Sequence, residues 1–206
     1  MLLFSWQWLE NKHLVYIYYL LLFNDKNRKV YKGIIFKQIM TDQRRLNVLV
    51  ADDEPAIRNL LVSLISRIPN LDVRTAADGQ EAYDRIKELT PDILCTDVMM
   101  PSMHGGQLLE KLALEGYKIP NFVITGTPIT SEAALAAFYS RRMYSEEQAR
   151  LLNLPLLQPT FDAQMQHMAE KDVDSDFGFN VLIKPKQVTK LLSRMKELQE
   201  TIYGQK

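Results

Sequence analysis

From Leu46 onward, short apolar runs rich in β-branched residues alternate with segments whose apolar positions recur every three or four residues. The first run, Asn47 to Ala51, reads as a strand. Pro55 then opens a helix at a position where its missing N–H costs nothing, and Ile57, Leu60, Leu61, Leu64, Ile65 and Ile68 recur on one face. Leu71 to Ala76 is predicted as a second strand and Gln80 to Leu89 as a second helix. Ile93 to Thr96 follows as a third strand that ends at Asp97, and Gly105 to Leu114 as a third helix. Phe122-Val123-Ile124 reads as a fourth strand ending at Thr125, and the Ala-rich stretch Ser131 to Tyr139 as a helix. Val181-Leu182-Ile183 is a fifth strand ending at Lys184, and a last helix turns Val188, Leu191, Leu192, Met195, Leu198 and Ile202 inward. This alternation predicts an α/β domain with a doubly wound parallel sheet and helices on both faces.

The polar residues fall at particular points of that pattern. Asp52 and Asp53 follow the first strand, Asp97 the third, Thr125 the fourth and Lys184 the fifth. In doubly wound sheets the ligand site lies at the carboxyl ends of the strands, so these groups are expected to share one crevice. Three carboxylates brought together repel unless one is protonated or a cation is present. An oxygen-only donor set favours a hard ion such as Mg²⁺, which also accepts phosphate oxygen. A carboxylate is also a competent nucleophile toward phosphorus, and transfer to it demands positioning and charge neutralisation more than acid–base chemistry. The metal, the Lys184 ammonium and the Thr125 hydroxyl together supply those needs without a catalytic histidine.

Four segments carry a family resemblance: Val48-Leu49-Val50-Ala51-Asp52-Asp53-Glu54-Pro55, Asp97-Val98-Met99-Met100-Pro101, Ile124-Thr125-Gly126 and Ile183-Lys184-Pro185. In this order, each at a strand end, they closely resemble the receiver domain of two-component response regulators, across Leu46 to about Phe138 and again from Phe179 to about Leu198. The resemblance implies a five-stranded CheY-like (flavodoxin-like) sheet of order 2-1-3-4-5. It implies that Asp97 accepts the phosphoryl group, that Asp53 binds Mg²⁺ directly and Asp52 partly through water, and that the Met99 carbonyl completes the protein's share of the coordination. It also implies that Thr125 moves toward the phosphoryl group, that Lys184 is its counter-ion and that the Lys184-Pro185 bond is cis. The partners it implies are a sensor histidine kinase or a histidine phosphotransfer protein upstream and a protein partner downstream. A cytoplasmic signalling domain rather than an enzyme with an external substrate is the expectation. The chain departs from the family where Val181 stands three residues before the lysine, a place often aromatic, and Phe179 is the nearby alternative.

Each signal has a plainer reading. Asp52-Asp53-Glu54 before Pro55 could serve only as a helix N-cap with acidic neighbours. His104, in the turn before the third helix, is read as a turn residue without chemistry. Cys95, the single cysteine, sits in an apolar run and is read as a packed core thiol. Lys plus Arg equals Asp plus Glu, so the formal net charge of 0 gives no global drive toward nucleic acid or anionic membrane, and no basic patch is evident. The rival functional reading is a receiver-like module that binds its partner constitutively and is never phosphorylated.

Composition breaks near Met40. Residues 1 to 39 lack Ala and Pro, and Met40-Thr41-Asp42-Gln43 resembles an ordinary protein start, so the earlier residues are expected to be either an upstream translation artefact or a weakly membrane-associating segment. The apolar run Leu14 to Phe23 is shorter than the about 20 residues needed to span a bilayer, so a membrane-spanning anchor is not the expectation. The expected organisation is an extension over 1–45, a receiver over 46–203, and a helical insertion over 141–178. No second globular domain is expected after the last helix, so output is expected through protein contact. Between Thr125 and Lys184 lie 58 residues, where a helix and two loops would need about 20. Ser145 with Gln148 resembles a capping box before Leu151 and Leu152, and Thr160 is expected to cap a helix bearing Phe161, Met165 and Met168. That insertion either packs on the domain or forms a partner surface.

Overall fold

A computed structural model describes residues 44–126, 130–154, 156–170, 180–184, 187 and 189–204. The chain separates into two units, Met1–Arg44 and Arg45–Lys206, and the description concerns the second. The expectations for residues 1–39, Phe179, Val188 and a cis bond at Pro185 lie outside the described residues.

Five strands, β1 (Leu46–Ala51), β2 (Leu71–Ala76), β3 (Ile93–Asp97), β4 (Asn121–Thr125) and β5 (Val181–Ile183), form one parallel sheet in the order β2-β1-β3-β4-β5. The expected order is therefore observed. Between them run α1 (Pro55–Ile65), α2 (Gly79–Glu88), α3 (Gly105–Leu114) and α4 (Ser131–Arg142), and α7 (Lys190–Gly204) follows β5. Two further helices, α5 (Glu146–Leu151) and α6 (Phe161–Ala169), fill the long α4–β5 connection.

Strand alternation sorts the core into two layers. Leu49, Ala51, Leu94, Val123 and Val181 face α2, α3 and α4, whereas Val48, Val50, Cys95, Phe122, Ile124 and Leu182 face α1 and α7. All eleven of these strand residues but Val181 are essentially inaccessible, as expected for a sheet covered on both sides. The connection enters both layers: Met168, with Phe161 and Met165 beside it, joins the first, and Tyr144, Ala149, Leu152 and Leu154 join the second. The inserted helices therefore pack as part of the core.

Three details differ from the sequence pattern. Leu60 is 47% exposed, because Leu61 and Ile65 define the buried stripe of α1 and the preceding residue is rotated about 100° from it. Leu151 is 54% exposed for the same reason, since Ala149 and Leu152 take the inward positions. Helix α4 continues to Arg142, three residues past Tyr139. Buried Ser140 explains the extension: its Oγ donates to Asn121 Oδ1 at 2.5 Å and accepts from Asn180 Nδ2. The two predicted caps are present. Ser145 and Gln148 form a reciprocal capping box, and the Thr160 side chain accepts from the Ala163 N–H.

Candidate functional site

Parallel pairing brings the carboxyl ends of β1, β3, β4 and β5 to one edge of the sheet. Ala51 is in register with Thr96, Asp97 with Ile124, and Thr125 with Ile183, so the residues just beyond Ala51 and Ile183 flank Asp97 and Thr125. The Lys184 N–H donates to the Thr125 carbonyl at 2.7 Å and fixes the lysine beside β4. Asp52, Asp53 and Asp97 each present a carboxylate oxygen within 4.8 Å of the others; Asp52 and Asp97 are buried and Asp53 is exposed. Thr125 is fully buried. Met99 lies two residues beyond Asp97 with its side chain 51% exposed.

The Lys184 ammonium reaches into this cluster, with Nζ 2.6 Å from Asp52 Oδ2 and 3.2 Å from Asp97 Oδ1. Burial opposes its charge, but the hydrogen bond to Asp52 and the nearness of Asp97 outweigh that and raise its pKa above the usual lysine range. Burial acts in the other direction on Asp97. Its carboxyl is pushed up to about 6 by desolvation, against the attraction of Lys184 and with added repulsion from Asp52.

The N-cap reading of the acidic run does not hold. Glu54 occupies the N-cap of α1 with no side-chain cap hydrogen bond, and Asp52 Oδ1 instead accepts the Glu54 N–H at 3.0 Å, which aims the second Asp52 oxygen at Lys184. His104 is the N-cap of α3: Nδ1 accepts from the Gln107 N–H, and the Gln107 side chain returns the bond to the His104 N–H. Its role is local, in keeping with the turn reading.

Sequence reasoning missed three supports. Arg58, one turn into α1, donates to the Asp52 carbonyl at 2.5 Å and steadies the β1 end; its position four residues after the N-cap was the available signal. Gly105 lies so close under β3 that a Cβ there would stand 2.1 Å from the Asp97 carbonyl oxygen. Gly79 receives the loop after β3 in the same way, with a Cβ position 1.9 Å from the Met103 carbonyl oxygen. Glycine spacing alone does not reveal such approaches, because the contacts come from distant segments.

The donor chemistry fits a magnesium ion. Three carboxylates converge, no His or Cys belongs to the cluster, and one carboxylate remains open to solvent as an entry point.

Residues 48–140 match the family model described as response regulator receiver domain. Among curated proteins, a protein-glutamate methylesterase/protein-glutamine glutaminase of Rhizobium etli is 40% identical over 91 residues, covering 44% of this chain and 26% of that protein. A transcriptional regulatory protein of Mycobacterium tuberculosis, TrcR, is 32% identical over 120 residues, covering 55% of this chain and 46% of that protein. The chain thus spans from about a fifth to under half the length of the curated relatives it matches. Among solved structures, the signal receiver domain of an HD domain-containing protein from Pseudomonas fluorescens superposes with a TM-score of 0.55 at 18% identity, covering 78% of this chain and 99% of that one, a likeness of fold. The family match stops at Ser140, in the last turn of α4 and before the inserted helices, and β5 with Lys184 is joined to it by the sheet itself. Sequence match, strand order and acidic crevice agree: the chain carries a response regulator receiver domain with the CheY-like fold.

Proposed function

We propose that the domain is the phosphoacceptor of a two-component system or phosphorelay, and that Asp97 is the residue phosphorylated. The observation that carries this reading is the convergence of Asp52, Asp53 and Asp97 oxygens within 4.8 Å, with Lys184 bridging two of them. An oxygen of Asp97 forms the new bond to phosphorus as the P–N bond of a phosphohistidine, or the P–O bond of a small acyl phosphate, breaks; the departing group keeps the electron pair. Asp52, Asp53, Asp97 and the Met99 carbonyl would hold Mg²⁺, which would supply positive charge to offset that of the incoming phosphoryl oxygens. Lys184 then exchanges its carboxylate partners for a phosphoryl oxygen, and the Thr125 hydroxyl, carried on the strand end tied to Lys184, accompanies that change.

The upstream partner on this reading is a sensor histidine kinase or a histidine phosphotransfer protein, and the output is a protein contact rather than nucleic-acid binding. A cytoplasmic location accords with it, and among the described residues no helix is long and apolar enough to cross a membrane. The test is incubation with acetyl phosphate and Mg²⁺ followed by Phos-tag electrophoresis. The wild-type protein is expected to give a retarded band that EDTA prevents and Asp97→Asn abolishes. Undiminished Mg²⁺-dependent phosphorylation of Asp97→Asn sinks the assignment, and complete inertness of the wild type supports the rival constitutive binding module.

A further inference from the structure

The carboxyl ends of α3 and α4 and the inserted segment enclose a concavity of about 440 Å³, near the amino end of β4 and so at the opposite edge of the sheet from the acidic crevice. Two leucines stand on its rim: Leu114, at the end of α3, is 77% exposed, and Leu157, after α5, is 44% exposed. Exposed leucines gathered at one concavity mark a surface that a partner covers.

The polar lining is strongly one-sided. Among the described residues of the lining, Lys118, Arg141 and Arg142 face one carboxylate, Glu146, within a chain whose formal net charge is 0. Glu146 approaches Arg141 at 3.3 Å. Lys118 and Arg142 hydrogen-bond to uncharged groups. Lys118 Nζ donates to the Arg142 carbonyl at 2.8 Å, and the Arg142 guanidinium donates to the carbonyls of Phe138 and Gln158 at 3.0 and 2.8 Å while lying 3.4 Å from the centre of the Phe138 ring. Burial lowers the pKa of Arg142, Tyr139 opposes that, and the charge of Arg141 lowers it a little further.

We infer that this concavity docks an acidic peptide segment of a partner protein, which seats an apolar side chain between Leu114 and Leu157 and sets carboxylates against Lys118, Arg141 and Arg142. A small free anion would satisfy the cations and leave both leucines wet; a chain crossing the rim covers them as well. The inference goes beyond phosphotransfer and does not depend on it, because none of these residues belongs to the acidic crevice.

The probe is a set of fluorescein-labelled short peptides selected on the full chain from a displayed library composed of Asp, Glu, Lys, Leu, Phe and Ser, with binding read by fluorescence anisotropy. Selected sequences should be enriched in carboxylates around a Leu or Phe. Their affinity should fall about tenfold or more in Leu114→Asp and in Lys118→Glu, and raising the salt concentration should weaken wild-type binding. Leu114 is mostly exposed, so Leu114→Asp should keep the wild-type melting temperature and separate loss of docking from loss of fold. A Lys-for-Glu peptide that recovers binding to Lys118→Glu would support the charge contact directly. Failure to select any binder, binders without carboxylates, or equal affinity for wild type and Leu114→Asp overturns the proposal. Full displacement by inorganic phosphate alone also overturns it, in favour of a small-anion site.

Discussion

Lys184 Nζ stands 2.6 Å from Asp52 Oδ2 and 3.2 Å from Asp97 Oδ1, so one ammonium from the end of β5 ties together the carboxyl ends of β1 and β3. It neutralises the same carboxylates that a divalent ion would bind. Lys184→Ala is therefore expected to bind Mg²⁺ at least as tightly as the wild type, since the ion no longer competes with an ammonium for Asp52. Asp53→Ala removes a carboxylate that points to solvent and should weaken Mg²⁺ by about tenfold or more. Isothermal titration calorimetry without phosphodonor separates the two, and an equal loss of affinity in both variants would contradict the roles assigned here.

The glycines that clamp the loop after β3 give a second test. A Cβ at Gly105 or Gly79 would meet a backbone carbonyl oxygen at 2.1 or 1.9 Å, so either strand and loop separate or the helix start shifts. Overpacking of this kind costs about 1–3 kcal/mol. Gly105→Ala and Gly79→Ala should both lose stability in that range in denaturant titrations, and Gly105→Ala, which pushes on Asp97 itself, should also slow incorporation from acetyl phosphate. Gly126 lies next to Thr125 but has open space where its Cβ would stand, so Gly126→Ala should stay within about 0.5 kcal/mol of the wild type. Three equal results would mean that the close approaches relax without cost.

Much of this architecture was legible in the sequence because each element announced itself locally. Short apolar runs rich in β-branched residues gave the five strands, and Ser145 with Gln148 and Thr160 gave the starts of α5 and α6 through capping chemistry that acts within four residues. The acidic crevice was legible for another reason: parallel strands place their carboxyl ends together, so residues that follow strands are neighbours even when far apart in sequence. What escaped was set by tertiary contact. The exposure of Leu60 and Leu151 depends on which side of a helix finds a partner, and the continuation of α4 to Arg142 depends on the bonds of Ser140 to Asn121 and Asn180. The pairing of Lys184 with Asp52 as well as Asp97 is likewise a matter of side-chain reach.

Cys95 lies on β3 two residues before Asp97 and is completely inaccessible, and burial raises its thiol pKa far above the ordinary range. It should not react with Ellman's reagent in the folded protein and should release a full equivalent of chromophore in guanidinium. Fast reaction under native conditions would mean that the sheet opens at β3, next to Asp97, on the time scale of labelling.

The last prediction concerns how firmly the inserted segment is built into the domain. The Tyr144 hydroxyl, buried just past α4, accepts the Asn121 N–H at 2.8 Å and donates to the Asn121 carbonyl. Ser140 holds the Asn121 side chain, Asn180 donates to Ser140, and the Asn180 carbonyl accepts the Val123 N–H at 2.8 Å. The start of β4 and the approach to β5 thus hang on one polar cluster to which the insertion contributes the tyrosine. Tyr144→Phe keeps the ring and removes the hydroxyl, leaving a buried backbone N–H without its partner, at a cost of about 2 kcal/mol. For a domain of this size that lowers the melting temperature by roughly 4–8 °C. The acidic crevice lies at the other ends of the strands, so phosphorylation of Asp97 should persist wherever the variant is folded. Replacing residues 141–178 with a flexible linker removes Met143, Tyr144, Ala149, Leu152 and Met168 from the two core layers and should instead prevent cooperative folding. If Tyr144→Phe melts with the wild type, or the linker variant folds cooperatively and accepts phosphate, then the inserted helices are an attachment to the sheet rather than part of its core.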